Sequence, residues 1–198
     1  MKARPALVAV CMALAACGLL KPVDVETRKE ILSQIPTQLP QGRTREATLL
    51  VLAPQTHATY DTTQMAYATE PHEVAYFAWN EWGETPAQMI QPLMVKTLQQ
   101  ARYFSAVLSP PYMGRYTYAL RTEILELKQD FTSEPATLRL AMRFQLTRWA
   151  SNQVVATKEV SLREPMLEKT PAGGVAAANN AVAGALRQLA EFLLEKAG

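Results

Sequence analysis

The sequence predicts an α+β domain: a mostly antiparallel sheet with two helices packed on one face, in the order strands, helix, strands, helix. Three observations carry this. Two segments open on a Thr-Pro pair and then repeat apolar residues at three- and four-residue spacing, as buried helices do. Three long segments alternate apolar and polar residues, which gives a sheet covered on one side only. Ala47 to Ala53 is a continuous apolar run ended by Pro54, suiting a strand buried on both faces.

The elements follow in order. Residues 18 to about 46 carry Pro22, Pro36, Pro40 and Gly42 among polar residues and read as a tether. Within it, Arg28 to Ser33 fits a short edge strand or a helical turn, and periodicity does not decide between them. After the Ala47 run come strands at Gln64–Thr69 and Glu73–Trp79, with Glu70-Pro71-His72 as a tight reversal. Thr85-Pro86-Ala87-Gln88 opens the first helix with a capping box and a proline at its first position. Ile90, Leu93, Thr97, Ala101 and Phe104 form its buried stripe, and it ends near Tyr103, before Pro110-Pro111. The first long strand alternates from Tyr116 to Ile124 and then slips to Leu125 and Leu127, the mark of a bulge. The second alternates from Leu138 to Leu146, with Arg139 and Arg143 on a solvated face. The third runs through Val154, Ala156, Val160 and Leu162, after a turn at Ser151-Asn152. Thr170-Pro171 starts the last helix, whose core face is Val175, Ala178, Val182, Leu186, Leu189 and Leu193. Gly173-Gly174 reads as a flexible lead-in to that helix.

The first twenty residues are of another kind. Lys2 and Arg4 precede the uncharged run Ala6 to Ala16, which closes on Leu14-Ala15-Ala16-Cys17-Gly18. That order fits the bacterial lipobox. Small side chains admit the backbone to the peptidase, and the Cys17 thiol takes a diacylglycerol before cleavage frees its amine for a further acyl chain. A transmembrane helix fits poorly, because Pro5 to Leu20 would rise only roughly 24 Å against a ~30 Å hydrocarbon core. The expected organisation is a cleaved signal at 1–16, a lipidated cysteine and tether at 17–46, and a single domain at 47–198. Two or three acyl chains suffice for stable anchoring where one does not. Gly18, in place of the aspartate that retains such lipoproteins in the inner membrane, points to the outer membrane with the domain facing the periplasm.

Composition narrows the function classes. The formal charge of +2 belongs to Lys2 and Arg4, so the mature domain is neutral and has no electrostatic footprint for nucleic acid. Of the two cysteines, Cys11 leaves with the signal and Cys17 is acylated. Disulfide, zinc-thiolate and thiol-nucleophile chemistry therefore fall away. The two histidines, His57 and His72, lie in turn-like segments without metal-ligand spacing. No nucleophile elbow, phosphate loop or Walker lysine occurs. Glu81 and Glu84 flank Trp82 and are read as carboxylates favouring the helix dipole. The expectation is no enzyme, no metal and no cofactor beyond the covalent diacylglycerol and N-acyl lipid at Cys17.

One stretch stands out. Tyr67, Tyr76, Phe77, Trp79 and Trp82 crowd five rings between positions 67 and 82. They fit either an aromatic core beneath the first helix or an exposed patch or groove for a partner or lipid chain.

The tyrosine-phenylalanine pair, then Asn80-x-Trp82, Thr85-Pro86 and Met89, leads into a Leu-rich helix ending Tyr103-Phe104-x-x-Val107. This block, with the lipobox, resembles the ABC-type transport auxiliary lipoprotein family, which includes the lipoprotein of the paraquat-inducible intermembrane system. The resemblance covers nearly the whole chain, although the family's tyrosine-rich first strand stands here as Arg28 to Ser33, without aromatics. It implies a lipoprotein working with an ABC permease, its ATPase and a mammalian-cell-entry (MCE) domain protein. Such systems move phospholipid or other hydrophobic molecules between inner and outer membranes; a homo-oligomer is left open. The alternatives are a structural or assembly lipoprotein of an envelope or secretion machine, and a ligand receptor. The receptor requires a pocket of ~300–1,000 Å³ lined by the aromatics.

Overall fold

The computed structural model describes residues 26–197. The signal, the lipobox and Cys17 lie outside the described residues. The nine strands are β1 (Arg28–Glu30), β2 (Arg45–Val51), β3 (Gln55–Thr56), β4 (Gln64–Ala68), β5 (Ala75–Trp82), β6 (Phe104–Leu108), β7 (Tyr118–Asp130), β8 (Thr137–Arg148) and β9 (Gln153–Pro165). The α-helices among the described residues are α1 (Pro86–Ala101) and α2 (Pro171–Lys196). Strands, helix, strands, helix is the order found, in an α+β architecture.

The sheet is mixed and curled around β7. Along one edge β7 pairs antiparallel with β8 over its whole length, from Tyr118↔Arg148 to Asp130↔Thr137, and β8 pairs in turn with β9. Along the other edge β2, β3 and β4 dock in succession, all parallel: Leu49↔Tyr118, Gln55↔Glu123, Tyr67↔Gln129. β6 adds parallel to β2, and β1 adds parallel to β5. The expected mostly antiparallel sheet is thus corrected, because most pairings are parallel. The reason is topological. The chain from β2 to β4 tracks β7 in one direction, and α1 is the crossover that returns it to lay β6 beside β2. Two- and five-residue strands such as β3 and β6 are too short to show a period, so their direction is not encoded in alternation.

Local signals hold where they are strong. The Gln88 carboxamide oxygen accepts from the Thr85 N–H at 3.0 Å, closing the capping box of α1. That helix stops on Arg102 in the left-handed region (φ 55°), and Phe104 belongs to β6 rather than to the helical stripe. The phase slip in β7 is a bulge between Ile124 and Glu126. Asn152 takes φ 50° in the β8–β9 turn, and His72 takes φ 67° in the β4–β5 turn. Leu138, Leu140, Met142, Phe144 and Leu146 of β8 are fully buried and meet Ala178, Val182, Leu186 and Leu189 of α2 in one core. The tether region contributes as well: Arg28–Glu30 joins the sheet, and Leu32 is a core side chain.

Candidate functional site

The five aromatics are not brought together. Trp82 is buried in the main core, at 3% exposure. Tyr67 of β4 stacks on Phe77 of β5 with ring centroids 4.4 Å apart, and both stand edge-on to Phe131 at 6.3 Å. This trio is a side cluster packed against the core, and sequence reasoning missed Phe131 because it falls just beyond the alternating run of β7. Tyr76 is partly exposed, but its hydroxyl donates to the Thr59 carbonyl at 2.8 Å, tying β5 to the 3-10 turn at Ala58–Tyr60. Of these five, Trp79 is the ring most open to solvent, at 53% exposure. A bulge puts it there: Gln64 pairs with Glu81 but Ala66 with Tyr76, so Phe77–Asn80 face Met65 alone. Five rings so dispersed do not line a common pocket, which removes the geometry the receptor reading requires.

Further exposed apolar side chains stand near the start of β7. Trp149 (54% exposed) and Val154 line one shallow concavity there, and Tyr112 and Met113 (99% exposed) lie in the loop that leads into β7. Trp149 is held in place: its N–H donates to the Thr117 carbonyl at 3.0 Å, its carbonyl accepts from the Asn152 N–H, and its ring leans on Tyr116 at 4.7 Å. The sequence reading gave Trp149 and Met113 no role and set Val154 on the apolar face of its strand, where the structure leaves it exposed. The available signal was an aromatic at the end of an alternating strand, where a turn residue would be expected to be polar.

The polar face of β7–β9 is a ladder of ion pairs. Arg143 bridges Glu123 and Glu159, each at 2.7 Å, and Arg139 reaches Glu126 at 3.2 Å and Asp130 at 3.4 Å. Both arginines are therefore paired across strands rather than solvated alone. Burial, with Glu126 adding to it, pushes the Tyr60 hydroxyl up to about 12. Burial alone would raise the Asp130 carboxyl, but bonds from the Thr132 hydroxyl and N–H and from Arg139 outweigh it and leave it below its ordinary value. Glu84 precedes the N-cap, and the first turn of α1 holds no acidic residue, so the expected dipole role of Glu81 and Glu84 is not seen. Among the described residues no three His, Cys, Asp or Glu side chains gather as metal ligands, and no helix is long and apolar enough to cross a membrane.

This fold has solved counterparts. A Xanthomonas campestris protein superposes with a TM-score of 0.72 at 17% identity, covering 87% of this chain and 95% of its own. An uncharacterised protein gives 0.66 at 12%, covering 87% and 99%. A hypothetical protein of Chlamydia trachomatis gives 0.51 at 8%, covering 77% and 98%. At these identities the likeness is one of fold. A comparison with curated proteins finds no match. The family model described as "ABC-type transport auxiliary lipoprotein component" matches residues 31–190. The chain belongs to this family, and is thus of the class of membrane-anchored envelope lipoproteins that serve ABC transport.

Proposed function

We propose that this chain is a non-enzymatic adaptor. Diacylglycerol and N-acyl chains on Cys17 hold it to the outer membrane, facing the periplasm. Its domain engages an ABC permease, its ATPase and an MCE-domain protein that pass phospholipid or other hydrophobic molecules between the membranes. The observation that carries this is the family match from residue 31 to 190, downstream of the lipobox Leu14 to Gly18. The exposed Trp149 and Met113 support it, since aromatic and methionine side chains are favoured contacts at protein interfaces.

The test is isolation of the native lipoprotein from detergent-solubilised envelope, with mass spectrometry of what accompanies it. The permease and the MCE-domain protein are expected. Recovery of the lipoprotein alone, or only with components of another envelope machine, overturns the adaptor reading in favour of a structural one. Cys17→Ser is expected to give an unprocessed or soluble protein with no transport function. Unchanged fractionation with the outer membrane would contradict the lipid anchor.

A further inference from the structure

We infer that the outward face of β1 and β5, centred on Trp79 and Ile31, rests on the phospholipid leaflet that holds the anchor. This rests on the lipid-anchor reading of Cys17. The first argument is chain length. Cys17 lies nine residues before Glu26, where the described chain begins, and a fully extended chain gains at most ~3.3–3.6 Å per residue. Glu26, two residues before β1, is thus held within about 30 Å of the acylated residue.

The second argument is what stands at that place. In the paired stretch Arg28↔Asn80 to Glu30↔Trp82, Glu30 and Trp82 point inward, so Lys29 and Glu81 point outward. Ile31 lies two residues after Lys29 and packs over Gly83, two residues after Glu81, which puts it on the outward side; the bulge opens Trp79 toward residues 26–30. Ile31 and Trp79 are 60% and 53% exposed, while Leu32 and Trp82 beside them are buried. Trp79 also lines a concavity with residues 26–30 and Asn80, where the chain arrives from the anchor. An indole with an apolar body and a polar N–H suits the headgroup boundary of a bilayer. Arg28 and Lys29 stand against three carboxylates, Glu26, Glu30 and Glu81, so the face carries no net positive charge to draw anionic lipid, and the contact depends on the apolar side chains.

The two exposed tryptophans make the test specific, because Trp149 sits at the other end of β7. The acylated full-length protein is reconstituted into phosphatidylethanolamine–phosphatidylglycerol vesicles whose acyl chains carry bromine, which quenches indole fluorescence at short range. Mass spectrometry of the same preparation reads acylation. Quenching is expected in the wild type and in Trp149→Phe, and is lost in Trp79→Phe, with no dependence on salt or on the phosphatidylglycerol fraction. Ile31→Ser, at an exposed position, is expected to weaken it. An acylated Trp79→Phe protein quenched like the wild type, or quenching abolished by Trp149→Phe, overturns the leaflet contact alone. An unacylated native chain overturns the anchor, and the contact with it.

Discussion

Two glycines of α2 are expected to respond oppositely to alanine, for a reason visible in their surroundings. In the first turn, a Cβ on Gly173 would lie 2.1 Å from the Glu168 carbonyl oxygen. That neighbour is backbone, so a loop segment must move. Gly173 cannot retreat freely either, since its N–H is held by the Thr170 Oγ1 cap at 3.1 Å. Overpacking costs about 1–3 kcal/mol, and loosening the cap about 1 kcal/mol. Against these stands a helix-propensity gain of at most about 1 kcal/mol. Gly173→Ala should therefore lose about 2 kcal/mol and lower Tm by ~4–8 °C for a chain of this size. In mid-helix, a Cβ on Gly184 meets only Leu162 Cδ1, at 3.4 Å, which is ordinary contact. Gly184→Ala should gain about 0.5–1 kcal/mol and raise Tm by ~1–4 °C. Urea and thermal unfolding of the purified proteins, followed by circular dichroism, measure both. A Gly173→Ala midpoint at or above wild type, or a Gly184→Ala fall of equal size, would refute the reasoning.

Three further outcomes are expected. The Arg45 guanidinium donates to the carbonyls of Leu194 (3.1 Å) and Ala197 (3.0 Å) at the end of α2. Arg45→Ala should cost about 2 kcal/mol in urea unfolding, and Arg45→Lys should recover only part, because an ammonium lacks the fork. Asp130 is held below its ordinary value, so its ionised form stabilises the fold above the unfolded carboxylate pKa of ~3.9, and this is lost as pH falls through the lower folded value. Asp130→Asn should be less stable at pH 7 and show a flatter stability profile below about pH 4, and an unchanged acid limb would refute the assignment. Met113→Asp should leave stability within ~0.5 kcal/mol and Trp149→Asp should cost about 0.5–1.5 kcal/mol from the lost ring pair with Tyr116, yet each should reduce the transporter subunits in the native isolate; full recovery of those subunits with both changes would clear these residues of a docking role.

What the sequence discloses is local and periodic. The capping box at Thr85–Gln88, the bulge beyond Ile124, the turn at Asn152 and the apolar face of β8 each follow from residues close together in the chain. What it hides is set by partners far away. The two residues of β3 have no period to read, and their pairing with Glu123 and Ile124 of β7 follows from topology. Gly173-Gly174 read as a flexible lead-in because composition shows small residues but not their neighbours. In the structure both are helical, Gly173 closing on Glu168 and Gly174 on the Gln129 amide. The aromatic block shows the same limit. Its crowding is plain in sequence, but a bulge of β5 decides that Trp79 faces water while Trp82 fills the core.

That division of aromatics bears on how an adaptor of this shape would work. β7 has 13 residues and is roughly 40 Å long at ~3.3 Å per residue. The β4–β5 pair, with Trp79 in its bulge, docks at the Gln129–Asp130 end, and Trp149 is bonded to Thr117 just before the other end. A domain seated on its leaflet by the first end would present the second well into the aqueous space. β7 is braced along both edges over most of its length, by the β8 ladder on one side and β2, β3 and β4 on the other. It would hold those two surfaces at a fixed separation, as a subunit that positions other proteins requires. A tether alone, with at most about 30 Å of slack, would leave that separation undefined. Contacts at both ends of β7 would turn that fixed separation into a defined distance between leaflet and partner.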